Sequence, residues 1–314
     1  MSYRMSLMPR STQGIMATVT LAMLPGTWLY GLQYGPVVWL QVIWCLLLAL
    51  LVEMGALYLC RKSLARGLSD LSWLVCALIL ARALPLMTPL WMMAIASVVA
   101  LGLVKHANGG LGANRLNPAM AGLAVVAICF YQQLMPAPDL NTPWTLGLTA
   151  QEVLLHQLQL EPRYPVDIMT GATPLSGGAL DEPAPLLSWI GYLGGGLLLA
   201  AMRVIRFEIP LAMITCSVSL CILAGHSAQE SLHSLSLGGY VFTAFFIATD
   251  PVTSPDNRSA RILFGATIGV VTELVREFGL YADGLCFAVL VANLLVPDLN
   301  RLGLRLHRPW HQAA

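Results

Sequence analysis

Thr173 offers a hydroxyl with little bulk around it. It lies in Asp167-Ile-Met-Thr170-Gly171-Ala172-Thr173-Pro174-Leu-Ser-Gly-Gly178, between Gly171-Ala172 and Pro174-Leu175. Small residues on one side and proline on the other predict a tight, open turn. A hydroxyl there is open to attack, or to attachment of a large group. Two other stretches carry chemistry. Asn108-Gly-Gly-Leu-Gly-Ala-Asn114-Arg-Leu-Asn117-Pro118-Ala119-Met120 sets exposed backbone N–H groups beside amides that both donate and accept hydrogen bonds. Such a run suits a flat ligand, or equally a glycine-rich helix break packed against another element. Phe245-Phe-Ile-Ala-Thr249-Asp250-Pro251-Val-Thr253-Ser254-Pro255 places a carboxylate among hydroxyls just before a proline that forces the chain out of helix. Asp250 is read first as a cap of the next segment. The other readings are a partner of Arg258 or Arg261, and an ion-coordinating or proton-relay group. A weaker patch is Gly279-Leu-Tyr281-Ala-Asp283-Gly284.

The elements that hold these residues are apolar. Of 314 residues, 57% are hydrophobic and 11% charged, and the mean hydropathy is +0.71. Soluble domains carry about 25% charged residues, so the composition predicts one integral membrane body, residues 1–314, rather than several domains. A net charge of +1 gives no support to nucleic-acid binding. The two arginines of Met1–Arg10 precede no cleavage pattern and read as a cytoplasmic lead-in.

Ten apolar segments can be counted: Thr12–Tyr30, Val37–Leu59, Leu71–Leu84, Leu90–Val104, Pro118–Leu134, Pro185–Met202, Ile209–Ala224, Leu235–Ala248, Ile262–Val275 and Gly284–Leu299. A straight span needs about 20 residues, and several are shorter, as in bundles with broken helices around a buried site. The third, eighth and ninth are shortest, and the third and eighth hold the same place in each set of five. With the N-terminus inside, fourteen Lys and Arg residues fall on the cytoplasmic side, Lys105 among them, against Arg82, Arg163 and Arg276 outside. The reading is an all-α fold of about ten transmembrane helices with both termini cytoplasmic. Five per half is the condition for two inverted halves, 11–134 and 185–304. The glycines at 109–112 and 191–196 are read as a weak echo between them. Interval 132–184 is then extracytoplasmic and carries the Thr173 turn. Within it, Thr149-Ala-Gln-Glu152 opens a short amphipathic helix on the membrane face, with no function of its own required.

The seven cysteines lie in or beside apolar runs without a C-x-x-C, so they read as core residues; the other reading brings one near a cluster in a neighbouring subunit. The histidines lack metal-ligand spacing and read as loop or interface residues. Glu53 and Arg82 are the ionisable groups deepest in spans, expected to be functional or to pair with each other. Glu273 is a weaker candidate.

These motifs together resemble the D subunit of the Rnf complex, a membrane-bound ferredoxin:NAD oxidoreductase that moves ions. They are also similar to the B subunit of the sodium-pumping NADH:quinone reductase. The likeness runs from about Ser11 to Leu304 and is strongest at 105–122 and 239–297. It implies a urea-transporter-like fold of inverted five-helix halves in the bacterial inner membrane, with the flavin loop periplasmic. It also implies FMN joined by a phosphodiester to the last threonine of the motif, Thr173, with Thr170, Gly171 and Ala172 around it. A flavin transferase would attach the FMN, and the partners would be other membrane and peripheral subunits. Asn114 and Asn117 would help hold a second, non-covalent flavin, riboflavin. No metal ligand set and no complete catalytic set is implied within this one subunit, and Asp250 and Glu53 become ion-pathway candidates. One departure stands out: the family shows D-G-S-A where this chain reads Asp70-Leu71-Ser72-Trp73. The competing functions are a redox-free channel or transporter of the same architecture, and a structural subunit that has lost its flavin; the intact Thr170–Thr173 run argues against both.

Overall fold

The computed structural model describes residues 11–86, 88–131, 150–160, 186–236, 238–278 and 284–306. Helices α1 (Thr12–Tyr34) and α2 (Pro36–Leu59) open the chain. The short α3 (Leu64–Ser69) precedes α4 (Ser72–Ala83), and α5 (Leu90–Ser97) continues as a π-helical stretch, Val98–His106, before α6 (Pro118–Cys129). Next comes α7 (Ala150–Gln157), whose Val153 is buried against Val37 and Val38 of α2. The second set is α8 (Leu186–Ala201), α9 (Glu208–Leu223), α10 (Ala228–Ser236), α11 (Tyr240–Phe242, continuing as π-helix Thr243–Ile247), α12 (Arg258–Phe278) and α13 (Leu285–Leu306). No strand occurs among the described residues.

Local chemistry sets the boundaries. Ser11 caps α1 by accepting from the Gly14 N–H at 3.1 Å. Gly35, at φ +76°, ends α1, and Pro36 opens α2 where its missing N–H costs nothing. Asn117 caps α6 through the Met120 N–H, with Pro118 in the first position. At α4 the Asp70 carboxylate accepts from the Ser72 N–H (2.8 Å) and hydroxyl (2.7 Å), while Leu71 takes a left-handed φ of +58°. Helices α1, α2 and α13 are long and apolar enough to cross a membrane, and Ser72–Ala83, Leu90–His106, Pro118–Cys129, Ser188–Ala201 and Glu208–Leu223 are shorter apolar helices. Outward faces carry Leu21, Trp28, Leu32, Leu51, Leu59, Leu223 and Leu294 in exposed positions. A surface this apolar matches a lipid solvent, and the chain is a multi-pass helical membrane protein.

Glycines let the helices meet at backbone distance. A Cβ on Gly195 of α8 would strike the Ala22 carbonyl of α1, and one on Gly265 or Gly269 of α12 would strike the carbonyls of Ile209 or Met213 in α9. The expected echo between the two glycine runs does not hold. Gly191, Gly195 and Gly196 are helical packing surfaces, whereas Gly109, Gly110 and Gly112 all have positive φ in a turn. The eighth apolar segment, expected as one span over Leu235–Ala248, is in two pieces, α10 and α11. Ser231, Ser234 and Ser236 turn their hydroxyls back onto the carbonyls of Ser227, Ser231 and His233, competing with the helix ladder just before the break. The third and eighth segments are nonetheless thoroughly enclosed: Val75–Ala81 and Tyr240–Thr249 are buried without interruption.

Leu71 stands where the resemblance places glycine, in a conformation that costs an ordinary residue about 1–2 kcal/mol. Leu71 also packs against the core. Leu71→Gly is therefore expected to shift the unfolding midpoint of the detergent-solubilised protein by an amount corresponding to less than about 1 kcal/mol, relief of the backbone offsetting lost packing.

Candidate functional site

The Asn and Asp runs, far apart in sequence, line one cleft between the two helix sets. Its walls are apolar: Val75 and Ile79 of α4, Leu101, and Phe245 and Phe246 of α11. Its polar groups are Ser72, Lys105, Asn114, Asn117, Thr249 and Asp250, and its cavity volume is about 90 Å³. Both turns that feed it follow π-helical stretches, Val98–His106 and Thr243–Ile247, a local widening that often accompanies functional sites. At its rim a second, more polar hollow is bordered by Arg203, Arg206 and Arg261.

Asn293 ties the turns together. Its Oδ1 accepts the Asn117 backbone N–H at 2.9 Å, and its Nδ2 donates to the Thr253 carbonyl at 3.1 Å. Asn293 is buried in α13, so one amide satisfies one orphaned backbone group from each motif. Asn114 is also buried and donates to the Leu116 carbonyl at 2.9 Å. Asn108 closes the end of the π-helical stretch by donating to the Leu103 and Val104 carbonyls.

Asp250 closes its own turn, while the next helix, α12, is capped by Asn257, which accepts the Ala260 N–H at 2.8 Å. One Asp250 oxygen accepts the Val252 N–H and the other the Thr253 hydroxyl, each at 3.1 Å. Burial pushes its carboxyl above the usual carboxylate range, and those two hydrogen bonds oppose the shift. Pairing with Arg258 or Arg261 does not occur, because both arginines turn to Glu208, at 3.9 and 3.5 Å.

Glu53 is fully buried near the end of α2, but its partner is not Arg82. The Lys105 ammonium donates to Glu53 Oε1 at 2.6 Å and to the Ser72 hydroxyl at 2.7 Å, and Asp70 lies 3.8 Å away. His106 Nε2 is 3.0 Å from the same Glu53 oxygen. Arg82 sits at the far end of α4, about 15 Å along a twelve-residue helix. There it donates to the Gly238 carbonyl at 3.0 Å and lies over the Tyr30 ring at 4.5 Å. Lys105 and His106, expected in a loop, are both buried because the π-helical stretch carries the helix two residues beyond its apolar run.

Sequence reasoning misses Lys105, His106 and Asn293 as site residues. A lone amide within the apolar run Leu285–Val296, and a Lys-His pair directly after a span, are the available signals. Thr170, Gly171, Ala172 and Thr173 lie outside the described residues, as do residues 279–283. Cys45, Cys76, Cys221 and Cys286 are buried, but Cys60 and Cys129 are exposed rather than in the core.

A mostly apolar cleft between two helix sets, with Lys105 of the buried Glu53 ion pair in its wall, defines the class: a helical membrane protein with an opening between its halves. The particular family is shown by comparison. The chain belongs to the NQR2, RnfD, RnfE family, whose profile matches residues 7–305. It is 36% identical over 325 residues to the D subunit of the ion-translocating oxidoreductase complex of Actinobacillus pleuropneumoniae, covering 92% of each chain. It is 35% identical to the protein of that name from Yersinia enterocolitica, covering 93% of this chain and 92% of the relative. The Sodalis glossinidius relative, named likewise, is 36% identical over 96% of this chain and 97% of its own.

Removing the Asn293 amide strands two buried backbone groups, each worth about 1–3 kcal/mol. Asn293→Leu is expected to lower the stability of the purified protein by at least that much. Asn293→Gln, which keeps the amide, is expected to recover part of the loss in the same unfolding measurement.

Proposed function

We propose that this chain is the membrane subunit of an Rnf-type complex that couples electron transfer between ferredoxin and NAD to ion transport. It is a subunit of a translocase, not a complete enzyme. FMN is joined through a phosphodiester to Thr173, on a segment facing the periplasm, by a separate flavin transferase. The body spans the inner membrane about ten times in two inverted halves, with both termini cytoplasmic. Two sets of five apolar segments support that topology, as does the enclosure of the third member of each set, α4 and α11.

The observation that carries the reading is the convergence of the Asn114–Asn117 and Thr249–Thr253 turns on one cleft. A family motif that only held the fold together would not need to line an opening between the halves. The cleft suits a second, non-covalent flavin such as riboflavin. Val75, Ile79, Phe245 and Phe246 would cover a flat ring, while Asn114, Ser72 and Thr249 offer polar groups to its edges. Flavin, when bound, supplies one- and two-electron exchange; the chain supplies orientation, water exclusion and fixed charge. Lys105 is held by Glu53 and so presents a permanent donor at the cleft wall. Asp250, whose carboxyl burial favours in the protonated form, is placed to hold or release a proton at its Oδ atoms.

The energies match. Moving one charge across about 100 mV costs about 2.3 kcal/mol. A one-electron drop of about 60 mV yields about 1.4 kcal/mol, so a step of about 100 mV balances one ion.

The redox-free channel is disfavoured by the centre of the molecule. Phe242 and Thr243 line a second cavity near Arg82, while Phe245 and Phe246 line the cleft. Between the two, Phe242 stacks on Phe246 at 5.4 Å and packs edge-on to Tyr192 at 4.9 Å. An aromatic wall blocks a solute but not an electron.

Coexpression with a flavin transferase, followed by denaturing electrophoresis, is expected to give an ultraviolet-fluorescent band. Thr173→Ala should abolish the fluorescence at equal protein level; a bright Thr173→Ala band, or a dark wild type, would overturn the attachment.

A further inference from the structure

The helix set that lacks Lys105 has a buried carboxylate of its own. Glu273, on α12, accepts hydrogen bonds from the Ser217 hydroxyl and, at 3.3 Å, from the Cys221 thiol, both on α9. Its side chain is 14% exposed. The close glycine contacts of α12 with α9 hold it there.

The arrangement mirrors the Glu53 site with its charges rearranged. Glu53 and Ser217 each lie six residues before the end of the second helix of their set, at Leu59 and Leu223. In each set the partner comes from the end of the helix built on the fourth apolar segment: Lys105 after α5 in one, Glu273 on α12 in the other. The two stations occupy opposite ends of the molecule. Glu53 sits by Lys105 and Ser72 at the start of α4, whereas Glu273 sits by Arg276, which donates to the Ser234 carbonyl at 3.3 Å and lies over the Tyr240 ring at 5.3 Å.

The chemistry differs in a way that matters. Glu53 meets an ammonium at 2.6 Å and is locked as an ion pair. Removing one partner of such a pair leaves an uncompensated buried charge, so it does not exchange freely. Glu273 is hydrogen-bonded by neutral donors, and its ion pair with Arg276 is looser, the guanidinium 3.8 Å away and beyond hydrogen-bond length. A carboxylate bound by hydroxyl and thiol can exchange them for a proton or an alkali cation without breaking a hydrogen-bonded ion pair. The groups facing it are Arg276 on its own helix, Cys216, Ser217 and Cys221 on α9, and Tyr240 on α11, whose hydroxyl donates to the Met213 carbonyl at 2.9 Å. Only Arg276 among these carries a permanent charge.

We propose that Glu273, with Ser217, is a monovalent-cation station at the end of the protein opposite Glu53, the place where the transported ion is held before release. This rests on the ion-transport reading above. The test uses the assembled complex in vesicles, with electron transfer and ion uptake measured on the same preparation. Glu273→Gln is expected to keep electron transfer and lose ion uptake. If both rates equal wild type, the station is overturned. If wild type itself shows no redox-driven uptake, the transport reading fails instead.

Dicyclohexylcarbodiimide, which reacts with protonated buried carboxyls, decides the matter without a variant. Mass spectrometry should find Glu273 modified. Protection by Na⁺ at fixed pH would identify an alkali cation, and labelling indifferent to Na⁺ would identify a proton. No modification at any pH at which the complex is active would mean a permanent ion pair with Arg276 and would overturn the proposal. Should Glu273→Gln fail to accumulate, Ser217→Ala takes its place. It is expected to change the rate at which Glu273 is modified and to lower ion uptake; wild-type values for both would overturn the station.

Discussion

The two turns that border the cleft are tied together by one amide. Asn293 accepts from the Asn117 backbone and donates to the Thr253 carbonyl, so the turns on either side of the cleft are fixed to the same side chain of the last helix. The bond geometry explains why both motifs need residues that break helix: glycine and asparagine in one, aspartate and proline in the other. Each must leave helix, turn sharply, and still present a backbone group to a partner far away in sequence. In a low-dielectric interior an unmet N–H or carbonyl is costly. Motif, turn and cleft therefore depend on one another, and the space between the halves persists because its edges are satisfied without filling it.

Charge follows the same logic. The described interior holds few ionisable groups, and each is placed with specific partners: Glu53 with Lys105, Asp250 with its own turn, Glu273 with Ser217 and Cys221. A buried ion pair contributes little net stability, so apolar residues would serve the fold as well. These ionisable groups lie beside the cleft and at both ends of the helix sets. The Tyr192–Phe242–Phe246 wall keeps two cavities apart by one layer of rings.

Much of this is legible in the chain. Pro36 and Pro118 stand at the first position of α2 and α6, where the missing N–H costs nothing, although Pro25 and Pro297 lie within α1 and α13. The turn-closing role of Asp250 follows from a carboxylate before proline among hydroxyls. What is not legible are the partnerships. Apolar runs reveal where a helix lies but not which of its ends meets another, so the chain alone suggests pairing Glu53 with Arg82 although the two sit at opposite ends of α4. Lys105 looks like a loop cation because hydropathy falls two residues before the helix does. The break before Tyr240 is hidden by leucines that keep average hydropathy high while serine hydroxyls undo the ladder. Asn293 carries no motif at all, and only its contacts reveal it.

The most direct test is an electron cryomicroscopy map of the assembled complex at a resolution that shows side chains. The account predicts the Asn293 amide bridging Asn117 and Thr253, with planar density in the cleft between Val75 and Phe245. A cleft closed by side chains, or filled by a lipid chain with Asn293 turned away from both motifs, would contradict it.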